Sequence, residues 1–142
     1  MTQSSVLTAK QIKQEPAGRR LDGWIAEYVM NYSLIPIPPV IFDDEHPSEH
    51  LLFYLNGDVS FYVPFFSTRI EHFGLVIEKI TKPNGRAKKS CTLLFEIHAD
   101  STRCKLAIKG KRSIVTTAEG PPLQAIPLAG CRAVLLHRRP KH

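Results

Sequence analysis

The feature that constrains the fold most is a hairpin signal in the first half of the chain. Two apolar runs, residues 51–55 and 60–63, are separated by Asn56-Gly57-Asp58. Asn and Gly tolerate the positive φ angles that a two-residue hairpin turn requires, so an Asn-Gly pair between apolar runs is a strong hairpin signal. The sequence therefore predicts two antiparallel strands here.

Three segments have the apolar spacing of helices that bury one face. The first is predicted over residues 16–32, before the proline-rich run at 36–39. The second begins at Thr68, which with Glu71 fits a capping box, and continues to about residue 80. The third covers about residues 128–137. A sheet could cover the apolar face of each helix.

Further strands are predicted in the second half of the chain, over about residues 92–97, 105–109 and 112–117. Together with the helices and the hairpin they predict an α+β fold, in which helices cover a mainly antiparallel sheet. A chain of 142 residues is expected to form one such domain. We place this domain at residues 16–137, between a tail at 1–15 and a basic tail at 138–142.

Charge is distributed unevenly along the chain. The net charge is +6, but residues 1–80 carry 6 basic and 10 acidic side chains, whereas residues 81–142 carry 13 basic and 3 acidic ones. A basic half of this kind can attract phosphates, nucleic acid or an acidic partner. The alternative interpretation is an uneven surface without a binding role.

The cysteines and the apolar segments indicate the compartment. Three cysteines without a C-x-x-C pair argue against a disulfide framework and fit a reducing cytosol. The first residues lack the basic start and apolar run of a signal peptide. No segment has the roughly 18 apolar residues that a membrane span needs. We therefore expect a cytoplasmic protein that does not enter a membrane.

Three segments together resemble a known family. Residues 16–30, PAGRRLDGWIAEYVM, resemble AGRELDALVAEKVMGW, the opening of the phage ABA sandwich domain family. Within residues 66–79, FSTRI and VIEK are similar to that family's YSTDI and WEVVEK, and residues 128–136, LAGCRAVLL, resemble its closing LAICRAALL. The resemblance implies an α/β/α sandwich of phage or prophage origin, which would act in the host cytoplasm. It implies no particular reaction.

The chain departs from the family pattern at three places. Asn31-Tyr32 replaces Gly-Trp, Gly74 stands where the family has tryptophan, and Gly130 where it has isoleucine. The two glycines remove side-chain volume and lower helix propensity. Packing around them must therefore be rearranged, or another side chain must fill the gap.

A candidate anion site lies at the predicted start of the second helix. Ser67 and Thr68 supply hydroxyls beside free backbone N–H groups, and Arg69 could make a bidentate contact with phosphate. Ordinary helix capping is the alternative explanation of the two hydroxyls. Arg19 and Arg132 complete the set if they converge with Arg69. The alternative for both is solvation or pairing with a carboxylate of the first helix.

The basic half offers a nucleic-acid surface as a further alternative. Clustered Lys and Arg side chains suffice for nonspecific phosphate binding. However, no aromatic residue follows Phe95 to stack on bases, and no helix-turn-helix or zinc-finger signature appears. The candidate residues are Lys88, Lys89, Lys105, Lys109, Lys111 and Arg112.

Two motifs that could carry chemistry have stronger structural interpretations. His46-Pro47-Ser48-Glu49-His50 matches the H-x-x-E-H zinc pattern, but less than two turns of helix would precede the strand at residue 51. Cys131 beside Arg132 could be an activated thiolate, but its apolar neighbours favour a small buried residue. We therefore predict no catalytic residue, no metal site and no cofactor.

The resulting hypothesis is a non-catalytic binding module of phage or prophage type. It would bind a protein partner or a small anionic, nucleotide-like ligand, which could belong to host defence. The alternative is a protein that binds the phosphate backbone of nucleic acid nonspecifically. Homo-oligomers would form if several aromatic residues share an exposed surface, namely Trp24, Tyr28, Tyr32, Phe61, Phe65 and Phe66.

Overall fold

The computed structural model describes residues 7–34, 52–55, 58–81 and 91–139, with the side chains of all but the strand residues 33–34, 52–55 and 58–62. These residues form four helices and six strands. In chain order they are α1 (Ala9–Gln14), α2 (Arg19–Tyr28), β1 (Ser33–Leu34), β2 (Leu52–Leu55), β3 (Asp58–Tyr62), α3 (Ile70–Thr81), β4 (Cys91–Ile97), β5 (Ser101–Ile108), β6 (Ile114–Glu119) and α4 (Pro122–Arg138).

The strands form two antiparallel sheets of three strands each, ordered β1-β2-β3 and β4-β5-β6. In the first sheet Leu55 pairs with Asp58, which leaves two connecting residues, Asn56 and Gly57. Those two residues lie outside the described part of the chain. The predicted hairpin is confirmed, and so are the strands of the second half, which pair in sequence order.

One face of the β4-β5-β6 sheet belongs to the core. Along β5, alternate residues from Thr102 to Ile108 are buried, while Arg103 and Lys105 are exposed on the other face. Helix α4 packs on all three strands, and α1, α2 and α3 pack on α4. The α+β class, with helices packed against an antiparallel sheet, is confirmed. In the described residues the opposite face of this sheet is exposed, and we call it the open face.

Helix α4 is longer than its sequence predicts. It begins at Pro122 rather than near Leu128, because proline fits the first turn of a helix, where its missing N–H is not needed. Pro127 lies inside the helix and removes only one hydrogen bond. Proline therefore marks the start of this helix instead of excluding it.

Both segments predicted as tails include residues of the packed fold. A capping box starts α1, in which Gln11 N–H donates to the Thr8 hydroxyl at 3.1 Å and Thr8 N–H donates to Gln11 Oε1 at 2.9 Å. Leu7 and Ile12 are buried. From the other end of the chain, Arg139 Nη1 donates to the Leu7 carbonyl at 2.8 Å. The two ends of the described chain are thus joined beside α4.

Asn31 follows α2 with a φ of 61°, in the left-handed region. Glycine adopts this region freely, and asparagine is among the few other residues that visit it. The backbone N–H of the next residue, Tyr32, returns to the Ala26 carbonyl at 2.8 Å. Asparagine at this position therefore permits the turn that ends this helix.

Gly130 of α4 lies against the ring of Phe73 from α3. A Cβ at position 130 would be 2.2 Å from Phe73 Cζ. The Phe73 ring is fully buried and packs edge-to-face on Phe95, with 6.3 Å between ring centroids, so it cannot withdraw without losing that packing. Phe73 therefore fills the gap expected at Gly130. At Gly74, by contrast, no described atom lies within 4 Å of an added Cβ.

Alanine at these two glycines should have opposite effects on stability. Gly130→Ala forces the Phe73 ring aside and should lower the free energy of unfolding by about 1–3 kcal/mol. Gly74→Ala adds helix propensity in open space and should raise it by about 0.5–1 kcal/mol. Urea unfolding followed by circular dichroism measures both changes. Equal effects of the two substitutions would contradict the packing described here.

Candidate functional site

Arg19 and Ser67, two of the predicted anion ligands, are joined through Asp22 in a buried network. Asp22 is fully buried, and its Oδ2 accepts a hydrogen bond from Arg19 Nη1 at 2.8 Å. Its Oδ1 accepts from the backbone N–H and the hydroxyl of Ser67, at 2.8 and 2.7 Å. Arg19 Nη2 donates to the Val63 carbonyl at 2.7 Å. Both predicted ligands therefore direct their donors at protein atoms.

The network holds the segment before α3 against the start of α2. Burial raises the pKa of the Asp22 carboxyl, whereas the hydrogen bonds from Ser67 and the charge of Arg19 lower it. Gly18 N–H donates to the Ser67 hydroxyl at 2.9 Å, and the Arg19 guanidinium lies 4.0 Å from the centroid of the Phe65 ring. These contacts connect two parts of the chain that are far apart in sequence.

The N-cap of helix α3 lies one residue later than its sequence predicts. The Arg69 carbonyl accepts hydrogen bonds from the N–H groups of His72 and Phe73, at 3.1 and 3.0 Å. Arg69 therefore occupies the N-cap position, and Thr68 lies before it. The predicted capping box of Thr68 and Glu71 is wrong, because a turn precedes the helix where the sequence suggests its first residues.

The five predicted anion ligands are not brought together. Thr68 and Arg69 are exposed and border an open cavity of about 360 Å³ beside the first turn of α4. Arg132 has other partners: its Nη1 donates to the Thr117 carbonyl and its Nη2 to the Glu15 carbonyl, each at 2.9 Å. Arg132 thus links β6 to the segment before α2, and burial lowers the pKa of its guanidinium.

Basic residues of the predicted nucleic-acid set lie on the open face and at the β5–β6 turn. Lys105 is exposed at the centre of a cross-strand row, between Leu94 and Val115. Lys109 and Lys111 are exposed where β5 ends. The remaining members are Arg112, considered below, and Lys88 and Lys89, which lie outside the described residues.

Acidic groups reduce the charge at one end of the open face. Arg103 pairs across the strands with Glu96. A hydrogen bond to His98 at 2.8 Å is the main cause that lowers the pKa of Glu96, and the charge of Arg103 contributes to the same shift. Uncompensated positive charge therefore lies towards Lys105 and the β5–β6 turn.

A cavity of about 550 Å³ between α1, β6 and the end of α4 gathers cations from three parts of the chain. Lys13 comes from α1, Arg112 from the turn before β6, and Arg139 from the residue after α4. We call this space the basic cavity. No carboxylate is among the described residues that line it. Its other lining residues are Ala9, Ser113, Ile114, Val115 and Leu136.

One donor at the basic cavity is not satisfied. Nε of Arg139 is buried and makes no hydrogen bond within the described residues, although Nη1 of the same side chain is bonded to Leu7. A buried donor without an acceptor costs about 1–3 kcal/mol. Basic residues are favoured near helix C termini, which accounts for Lys13 and Arg139. It does not account for Arg112, which lies in a turn.

The residues considered for nucleophilic chemistry and metal binding are a buried cysteine and three residues outside the described part of the chain. Cys131 is fully buried, its Sγ donates to the Phe66 carbonyl at 3.4 Å, and burial raises the pKa of its thiol, as expected of a core residue. The described residues contain no group that could hold a metal ion. His46, Glu49 and His50 lie outside them.

The aromatic residues considered for self-association are in large part internal. Phe66 is fully buried, and Trp24, Tyr28 and Tyr32 are half-buried against the core. The side chain of Phe61 is not among those described. Self-association through this group stays a prediction, restricted to the parts of these rings that reach the surface.

Comparison of the chain with protein-family models, curated proteins and solved structures found no match. The resemblance to the phage ABA sandwich domain family therefore stays a prediction. Among the helices of the described ranges, none is both long enough and apolar enough to span a membrane.

Replacing Arg19 with methionine tests the buried network. Arg19→Met leaves the Asp22 carboxylate without its counter-charge and should lower the free energy of unfolding by about 3–5 kcal/mol near pH 7. Loss of the positive charge also raises the pKa of Asp22 further. A protonated carboxyl costs less to bury, so the destabilisation should become smaller as the pH falls towards about 5. Urea unfolding at both pH values measures it.

Arg20→Met is the matched control. The Arg20 side chain is 73% exposed, and its ion pair with Glu15 is 3.9 Å long. Its loss should change the free energy of unfolding by less than about 0.5 kcal/mol. If Arg19→Met and Arg20→Met had the same effect, the network would not stabilise the fold.

Proposed function

We propose that the chain is a non-catalytic binding module for a small anionic ligand, which occupies the basic cavity. The observation that carries this proposal is the convergence of Lys13, Arg112 and Arg139 on one cavity, with no carboxylate among its described lining residues. These residues replace the set suggested by the sequence, of which Arg19 and Ser67 are engaged in the core.

The electrostatics of the basic cavity favour an anion. Like charges around a shared space repel one another, and a bound anion relieves that repulsion. The guanidinium groups of Arg112 and Arg139 present planar sets of donors that match phosphate or carboxylate. The hydroxyl of Ser113 is a further donor at the same place. Small-molecule sites commonly have volumes of about 300–1,000 Å³, and the basic cavity, at about 550 Å³, lies within this range.

The lining favours binding rather than reaction. It supplies positive charge, a hydroxyl and apolar surface, and no carboxylate or imidazole among its described members. A general base within reach of a nucleophile is the usual requirement for acyl or phosphoryl transfer by a hydroxyl. We therefore propose retention of the ligand without chemical change.

We further propose that the module acts in the cytoplasm, which is the host cytoplasm if the chain is encoded by a phage. Three buried free thiols support a reducing compartment. The resemblance of three segments to a phage family supports the origin. A nucleotide of host defence would belong to the ligand class proposed here.

Calorimetric titration with pyrophosphate tests the site. The wild-type chain should release or absorb heat at about 100 μM protein, and Arg112→Gln should weaken binding by about tenfold or more, because a charge-assisted contact is lost. Lys79→Gln is the matched control: Lys79 is an exposed cation of α3 that belongs neither to the basic cavity nor to the open face. Absence of heat, or equal weakening by both substitutions, would contradict the proposal.

A second candidate function, binding to a nucleic-acid backbone, rests on the open face and the β5–β6 turn. Lys105, Lys109 and Lys111 are exposed there, and the two residues beside Lys105 on neighbouring strands are uncharged. Nonspecific phosphate binding needs little beyond such clustering. This surface does not depend on the basic cavity, and so the two candidates can be tested separately.

Salt dependence tests the second candidate. Affinity for a duplex, measured by fluorescence anisotropy, should fall steeply with salt, and Lys105→Gln should reduce the slope of log K against log salt by about 0.9. Lys79→Gln, which removes an exposed cation of α3, should leave the slope unchanged. Affinity that does not fall between about 50 and 200 mM salt would rule this function out.

A further inference from the structure

We infer that the ligand of the basic cavity is a phosphate ester that carries an apolar or aromatic body of about mononucleotide size. This inference rests on the proposed function and specifies its ligand class. Inorganic anions, and polyanions that bind by charge alone, would contact the cations of the cavity but not its apolar residues.

The lining combines polar and apolar residues. Four of its eight described residues carry charge or a hydroxyl, and the other four are Ala9, Ile114, Val115 and Leu136. Leu136 belongs to the core, and Ile114 lies on the same side of β6 as the buried Thr116. The Val115 side chain lies on the open face, so the apolar side chains beside the cations are those of Ala9, Ile114 and Leu136. A ligand with one charged end and one apolar end would match both parts.

The volume also favours a ligand larger than an inorganic ion. At about 550 Å³, the basic cavity, which is open to solvent, has room for a ligand larger than an inorganic ion. A phosphate ion would leave its apolar residues in contact with water. Displacing water from the side chains of Ile114 and Leu136 strengthens binding through the hydrophobic effect.

The number of cations favours phosphate at the charged end. Lys13, Arg112 and Arg139 supply three positive charges. A phosphate monoester carries about 1.5–2 negative charges at neutral pH and offers several acceptor oxygens. A single carboxylate carries half that charge or little more. The charged end is thus better matched by phosphate than by a carboxylate.

Titration of the full chain with a series of ligands distinguishes the contribution of the ligand's charged end from that of its apolar end. We would titrate the protein with inorganic phosphate, phenyl phosphate, adenosine 5′-monophosphate and adenosine. Both organic phosphates should bind about tenfold or more tightly than inorganic phosphate, because an aromatic ring is buried on the apolar lining. Adenosine, which lacks the phosphate, should give no measurable heat.

A substitution in the apolar lining then tests whether the preference for an aromatic phosphate arises in the basic cavity. Ile114→Asn should reduce the preference for phenyl phosphate over inorganic phosphate by about threefold or more and leave the affinity for inorganic phosphate unchanged. Leu93→Asn is the matched control, because Leu93 and Ile114 both pair with Leu106, both pack partly buried against the core, and Leu93 does not line the basic cavity. Ile114→Thr keeps the β-branched shape and is used if Ile114→Asn does not fold.

Each failure has a distinct meaning. Equal affinity for phenyl phosphate and inorganic phosphate, or an unchanged preference in Ile114→Asn, would overturn the apolar end while anion binding stands. Adenosine that binds as tightly as its monophosphate would overturn the charged end. If no phosphate compound binds, the proposed function itself fails, and this inference fails with it.

Discussion

The rest of the structure depends on how closely other elements approach α4. The buried residues of α4 include small ones, which let neighbouring elements approach its backbone closely. The Thr116 hydroxyl of β6 donates to the Ala129 carbonyl at 2.6 Å, and the Phe73 ring occupies the space beside Gly130. The sheet and the other three helices all pack on this one helix. Larger side chains at these positions would separate the sheet from the helices and open the core between them.

The sequence predicts the elements whose signals are local. The pairing of the hairpin strands, the apolar stripe of α3 and the alternation along β5 each depend on residues close together in the chain, and each is confirmed. Helix α1, with only six residues, is too short to show a helical period. Pro122 and Pro127 make the first turns of α4 look non-helical in the sequence. The helix forms there nevertheless, because the packing of its buried residues outweighs one lost hydrogen bond.

The candidate site was less predictable, because burial and convergence are not local properties. Arg19 and Ser67 have the residue types of a phosphate site, but Asp22 accepts their hydrogen bonds inside the core. Nothing in the sequence near either residue shows that they would be buried. Lys13 and Arg139 lie near opposite ends of the chain, and only the packing of α1 on α4 places both beside Arg112. Positive charge was the one signal available for these three residues.

The segments that resemble the phage family carry contacts within the fold rather than contacts to a ligand. The first meets the second where Asp22 accepts hydrogen bonds from Ser67, and the second meets the third where Phe73 fills the space at Gly130. Lys13, Arg112 and Arg139 lie outside all three segments. The three cations of the proposed site thus come from outside these segments, whereas Leu136, which also lines the basic cavity, belongs to the third segment.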